Sequence, residues 1–152
     1  MRRLWPGLIV VALALVASGC GSDTKAANDY VDAVNRAQSE FATKFDQLSA
    51  QITSTSTAAQ DRQTLDGFRQ AIDKVVADFR AVKAPDKVKT LHGRLISEIS
   101  AYGREIDKAK RAFSDDDPQA IVKAQADLVS AVTRVQAQIN ATIADINKKL
   151  RE

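Results

Sequence analysis

Four stretches of this chain place apolar residues at alternating three- and four-residue steps, a spacing that suits a helix and no strand. The first carries Tyr30, Val34, Phe41, Phe45, Leu48 and Ile52, with Ala37 between them. The second carries Leu65, Phe68, Ile72, Val75, Phe79 and Val82. Val88, Leu91, Leu95, Ile99, Tyr102, Ile106, Ala109 and Phe113 form the third stripe. The fourth runs Ile121, Leu128, Val132, Val135, Ile139, Ile143, Ile146 and Leu150, interrupted by Gln125. Each helix is expected to hold about 27–33 residues, or about 40–50 Å at 1.5 Å per residue. The breaks are short, so successive helices must lie antiparallel. The fold class that follows is all-α: an up-down-up-down four-helix bundle, with coiled-coil-like packing near +20°. A three-helix core with the first helix detached is the alternative.

The breaks carry their own start signals. Thr57 and Gln60 fit a capping box, in which side chain and backbone at a helix start satisfy each other. Pro85 suits the first turn of the third helix, where a missing N–H costs nothing. In Ser114-Asp115-Asp116-Asp117-Pro118, Asp117 reads as an N-cap and Pro118 as the first helical residue. Four acid-first pairs stand four residues apart: Asp32–Arg36, Glu40–Lys44, Asp107–Arg111 and Asp145–Lys149. That is the favourable order for same-helix ion pairs.

The front of the chain has a different grammar. Arg2 and Arg3 precede a short apolar run from Leu8 to Val16, which is followed by small residues. That is the layout of a secretory signal peptide, and the run is about half of what a membrane-spanning helix needs. The small residues end at Cys20, the only cysteine. Ala17-Ser18-Gly19-Cys20 resembles the lipobox of bacterial lipoproteins. One departure is Ala17, where that family prefers Leu. The resemblance implies that Cys20 receives a diacylglycerol thioether and becomes the first mature residue; its thiolate supplies the nucleophile. Residues 1–19 are then expected to be a cleaved signal peptide, 20–24 a lipidated terminus and short tether, and 25–152 the bundle. A tether of about five residues reaches at most ~18 Å. In length, leader and helical pattern the chain resembles the small all-helical lipoproteins of actinobacteria. The implied location is the cell envelope, anchored through Cys20 on the extracytoplasmic face of the membrane.

Charge supports no nucleic-acid partner. The whole chain carries 22 basic and 19 acidic residues, and without Arg2 and Arg3 the balance is nearly neutral. Nucleic-acid binding needs a clustered basic stripe, whereas here lysines and arginines alternate with aspartates. With one cysteine there is no intramolecular disulfide, so the stability of about 130 residues must come from the core.

The usual chemistry of helical bundles is missing its residues. A di-iron site needs Glu-x-x-His, and none of the four glutamates is followed by histidine at that spacing. Haem attachment through Cys-x-x-Cys-His is ruled out by the single cysteine. His92, the only histidine, is followed by Gly93-Arg94-Leu95 and so lacks the His-x-x-Glu of imelysin-like iron-uptake lipoproteins. It reads as a histidine hydrogen-bonded at a helix–helix boundary. Capping and favourable charge at a helix N-terminus account for the three aspartates before Pro118. No catalytic residue, metal site or cofactor is therefore expected.

Gly67, Gly93 and Gly103 stand inside helices, each costing about 1 kcal/mol relative to Ala. Close packing is one explanation. A ligand cavity near these glycines, with Tyr30 and Tyr102 on its walls, is the other. The expected function is a non-enzymatic interaction or scaffold module at the cell envelope, with an envelope protein or cell-wall component as partner. The alternative is a binding protein that holds a small apolar ligand or lipid between its helices.

Overall fold

A computed structural model of the chain describes residues 22–51, 57–112 and 118–152. The segment expected to be a signal peptide, Cys20, Ile52, Phe113 and the expected N-cap Asp117 lie outside the described residues. Four helices are present among those described: α1 (Ser22–Ser49), α2 (Ala58–Ala81), α3 (Lys89–Ala112) and α4 (Pro118–Arg151). A single 3-10 turn, Asp86–Val88, leads into α3. The fold is the all-α, antiparallel four-helix arrangement that the stripes imply. The first helix starts at Ser22, inside the segment read as tether, so a single residue separates Cys20 from the first helical position.

The capping box forms: the Thr57 N–H donates to Gln60 Oε1 at 2.8 Å, and the Gln60 N–H donates to Thr57 Oγ1 at 3.3 Å. Pro118 is the first helical residue of α4, as its fixed φ favours. Pro85 plays a different part from the one expected. It caps the 3-10 turn, its carbonyl accepting the Val88 N–H at 3.0 Å, so α3 begins only at Lys89.

One continuous core joins all four helices. Tyr30, Val34, Phe68, Ile72, Phe79, Val88, Leu95, Ile143 and Ile146 are fully buried within it. Because α1 contributes Tyr30 and Val34, the detached-helix alternative fails. The close seams run α1–α2, α2–α3 and α3–α4. The fourth side, between α1 and α4, has no seam of that closeness. Helical spacing explains the difference. Thr142 turns toward α3, where it bonds Glu98, and that leaves Gln136, Asn140 and Asn147 on the other flank of α4. The flank of α1 turned from α2 carries Gln38 beside Val31. Side-chain amides keep backbones further apart than interlocking methyls, and the buried oxygens Gln38 Oε1 and Asn147 Oδ1 are left without hydrogen-bond partners.

Surface charges pair differently from the sequence expectation. Glu40 receives Lys74 of α2 at 2.9 Å rather than Lys44, and Asp107 receives Arg69 Nε at 3.1 Å rather than Arg111. Lys149 turns to Glu152 at 2.6 Å. Glu40 and Asp107 thus reach past their same-helix neighbours to α2, while Lys149 takes a local partner three residues on. Exposed pairs of either kind contribute well under about 1 kcal/mol, so geometry set by the core decides which form.

Candidate functional site

The most fully connected polar centre lies where α1, α2 and α3 meet at one end of the bundle. α2 ends at Ala81, and its last carbonyls lack helical partners. Phe79 O accepts the Val82 N–H at 3.1 Å and also lies 2.9 Å from His92 Nε2. A carbonyl only accepts, so Nε2 carries the proton and donates. The neutral ring then leaves Nδ1 as an acceptor, and the Tyr30 hydroxyl, 3.2 Å away, donates to it. The Phe79 ring stacks on the imidazole at 6.0 Å with a 12° interplanar angle, and Tyr30 meets it edge-on at 5.5 Å.

The electrostatics match that neutral assignment. Burial lowers the His92 pKa from its ordinary value, partly opposed by the hydrogen bond to Phe79 O. Burial also pushes the Tyr30 hydroxyl up to about 12. Chemically, the centre ties three helices together and seals a helix end. Both ring nitrogens are engaged, and the ring and its partners are buried. A general base needs an open approach to the proton it removes, which this ring lacks. His92 is thus the boundary histidine that its position beside Leu91 and Leu95 implies. Tyr30, considered above as a cavity wall, is a core residue whose hydroxyl points inward to the imidazole.

The three glycines do not converge. A Cβ on Gly67 would stand 2.6 Å from Leu48 Cδ2, so the missing side chain lets α1 settle onto α2. A Cβ on Gly103 would lie 3.1 Å from Arg69 Nη1; this glycine makes room for a guanidinium that crosses to Asp107. Gly93 is exposed, with nothing within 4 Å of the corresponding position. Tyr102 is buried on α3, and burial raises its hydroxyl pKa. Packing therefore explains Gly67 and Gly103, while Gly93 stands open to solvent. Gly93→Ala is expected to stabilise the fold by about 0.5–1 kcal/mol, since nothing offsets the gain in helix propensity. In Gly67→Ala the same gain is opposed by the displacement of Leu48. Overpacking of that kind costs about 1–3 kcal/mol, so the net change is expected to run from neutral to about 2 kcal/mol destabilising. Urea denaturation of the two variants side by side measures the contrast.

Gly67 does border a shallow groove of about 360 Å³ between α1 and α2, floored by Ala37, Phe41, Ala71 and Val75. Lys74 bridges Glu40 and Asp78 along its rim. A more polar cleft of about 550 Å³ lies between the start of α2 and the end of α3, bordered by Arg62, Asp66, Asp107 and Arg111. A further polar contact, between α3 and α4, is not legible in the sequence. Glu98 Oε1 accepts from Arg94 Nε at 2.9 Å and from the fully buried Thr142 hydroxyl at 3.0 Å, while Oε2 is buried without a partner. Its one sequence signal is Thr142 falling in step with Ile139, Ile143 and Ile146.

Among the described residues no group of three or more His, Cys, Asp or Glu side chains is placed to hold a metal ion. No helix among them is long and apolar enough to cross a membrane. These features define a class: an antiparallel all-α bundle whose histidine is sealed into its core and whose grooves are shallow and peripheral. No family model, curated protein or solved structure matches the chain.

Proposed function

We propose that this chain is a lipid-anchored helical module on the extracytoplasmic face of the membrane, acting by non-covalent contact with an envelope protein or cell-wall component. The observation that carries the reading is the junction of leader and bundle. Small residues end at the sole cysteine, and helix α1 begins two positions later. Two residues span no more than about 7 Å. Acylation of Cys20 therefore holds the bundle against the bilayer, on a shorter leash than a flexible tether of five residues. Two or more acyl chains give the stable anchoring that a single chain does not.

The contact face is assigned to α4. Among the described residues, Val122 and Val129 are the large apolar side chains that stand exposed, at 66% and 46%. They lie seven residues apart and so share one helical face, the register in which a helix meets a partner's groove. They sit in the half of α4 remote from the anchor. In Cys20→Ser, the protein is expected to move from the membrane fraction to the released fraction, read by fractionation and intact mass. Retention of an unacylated protein in the membrane would refute the anchor. A photo-crosslinker at residue 129 is expected to capture one dominant envelope component, and one at residue 104 on exposed α3 is not.

The second reading, an apolar ligand or lipid between helices, is favoured by one observation, the apolar floor of the α1–α2 groove beside Gly67. Native mass spectrometry of detergent-extracted protein decides it: a bound lipid lost in Ala71→Glu would support this reading over the first.

A further inference from the structure

The end of the bundle from which the chain's N-terminal segment emerges is strongly basic. Ser22 begins α1 at the same end as the close of α2, the start of α3 and the close of α4. Tyr30 meets His92 there, and Lys87 Nζ donates to Leu150 O at 3.0 Å. Residues 80–89 and 148–152, which form this tip, hold seven basic residues against two acidic ones. The remainder of the mature chain has an acidic excess. All seven cations, Arg80, Lys83, Lys87, Lys89, Lys148, Lys149 and Arg151, are exposed. Three of them, Lys87, Lys148 and Lys149, gather around the end of α4. The Glu152 carboxylate is held below its ordinary range by its hydrogen bond to Lys149, with Lys148 and Lys87 adding to the effect. On the neighbouring α1, Lys25 is paired with Asp29 at 2.6 Å, and Asp23 in its first turn adds one acidic residue, which leaves this end net basic.

Helix ends explain only part of this. Arg80, Lys148, Lys149 and Arg151 stand in last turns, where the macrodipole favours a cation. Lys89 opens α3, where the macrodipole disfavours a cation and the first turn holds no acidic residue, and Lys87 stands in the 3-10 turn before it beside Asp86. Lys83 belongs to no helix. Lys87 serves local helix chemistry by capping the Leu150 carbonyl of α4, but nothing of that kind calls for Lys83 and Lys89, whose exposed charge faces whatever meets the tip.

We infer that this basic tip seats on anionic lipid headgroups, so that charge orients the bundle upright on the membrane. The inference rests on the anchor reading for its geometry, because a short tether presents this end, and no other, to the bilayer. Juxtamembrane cations attract an anionic leaflet within a Debye length of its surface, and an acyl anchor plus a polybasic patch is a stronger combination than either alone.

The test is lysine footprinting of the membrane-extracted protein reconstituted into vesicles of phosphatidylglycerol or of phosphatidylcholine. On the anionic vesicles Lys83, Lys87, Lys89 and Lys148 are expected to react at least about threefold more slowly with an acylating reagent. Lys44, Lys108 and Lys123, at the far end, are expected to react equally on both. Salt near 0.5 M, with a Debye length of about 4 Å, should erase the difference. The double variant Lys83→Glu/Lys89→Glu is expected to remove the protection of Lys148 while leaving helicity intact, since glutamate at residue 89 suits the start of α3. Equal reactivity on the two vesicle types, or protection at both ends, would overturn the inference. The mass of the Cys20 peptide separates the two ideas. An acylated Cys20 without protection refutes the seating alone. Protection with an unacylated Cys20 refutes the anchor and keeps the charge attraction.

Discussion

Phe68→Ala is expected to lower the unfolding free energy by about 3–5 kcal/mol, the range for deleting a fully buried phenylalanine ring. Phe68 is 1% exposed, and its ring packs on Phe45 of α1 at 4.9 Å. Removing it takes away transfer energy and leaves a void that two helices cannot close, because Leu48 already occupies the space over Gly67. Domains of this size are stable by only about 5–15 kcal/mol, so the loss is a large fraction of the total. The urea midpoint should fall with little change in slope, since the surface exposed on unfolding is nearly the same. Phe41, half-buried at the edge of the same cluster, gives the comparison: Phe41→Ala should cost about half as much or less. One core joins all four helices, so each variant should still unfold in a single transition. A cost for Phe68→Ala below about 1.5 kcal/mol would mean that α1 does not pack on α2 as described.

The second large effect concerns His92. In His92→Leu, the buried Tyr30 hydroxyl loses its acceptor and Phe79 O loses a donor. Leaving buried polar groups unpaired costs about 1–3 kcal/mol each. The carbonyl keeps the Val82 N–H, so the expected total is about 2–4 kcal/mol. The double variant Tyr30→Phe/His92→Leu should recover part of that, because removing both partners leaves fewer orphans than removing one. A double-mutant cycle in urea reads this coupling. If the two substitutions are additive, the Tyr30–His92 bond is absent in solution.

The same residue sets a pH dependence with a definite sign. In the unfolded chain His92 titrates near 6.5, and in the fold burial lowers its pKa. Between the two values the unfolded state binds the extra proton, so acid favours unfolding. Stability is fully present above about pH 6.5 and declines as pH falls from there through the depressed folded value. No other histidine titrates in this window. Thermal melts between about pH 7 and pH 5 should therefore slope for the parent chain and be nearly flat for His92→Leu. A slope that persists in the variant would assign it to the carboxylates instead.

Some features are legible in the linear chain and others are not, for physical reasons. Thr57–Gln60 and Pro118 are legible because a helix start is settled within about four residues. His92 is legible as a boundary residue from its place beside the Leu91–Leu95 stripe, but its partners lie 13 and 62 positions away. The three glycines look alike in sequence, yet one accepts a leucine, one a guanidinium and one nothing. Which neighbour arrives depends on how helices are offset along their axes, and spacing within one helix carries no information about that offset. The ion pairs follow the same logic. Glu40 and Asp107 have favourable neighbours four residues on, and the small same-helix gain yields to partners delivered by the adjacent helix.

What the sequence determined alone was the number of helices, their antiparallel order and the stripe each one buries, because periodicity and capping act over a few residues. The tertiary structure decided the sealing of α2 by His92, the looser side between α1 and α4, and the placing of seven cations at the end where the N-terminal segment emerges. Each of these joins residues from separate helices, and only the packing of large against small side chains across the core fixes their register.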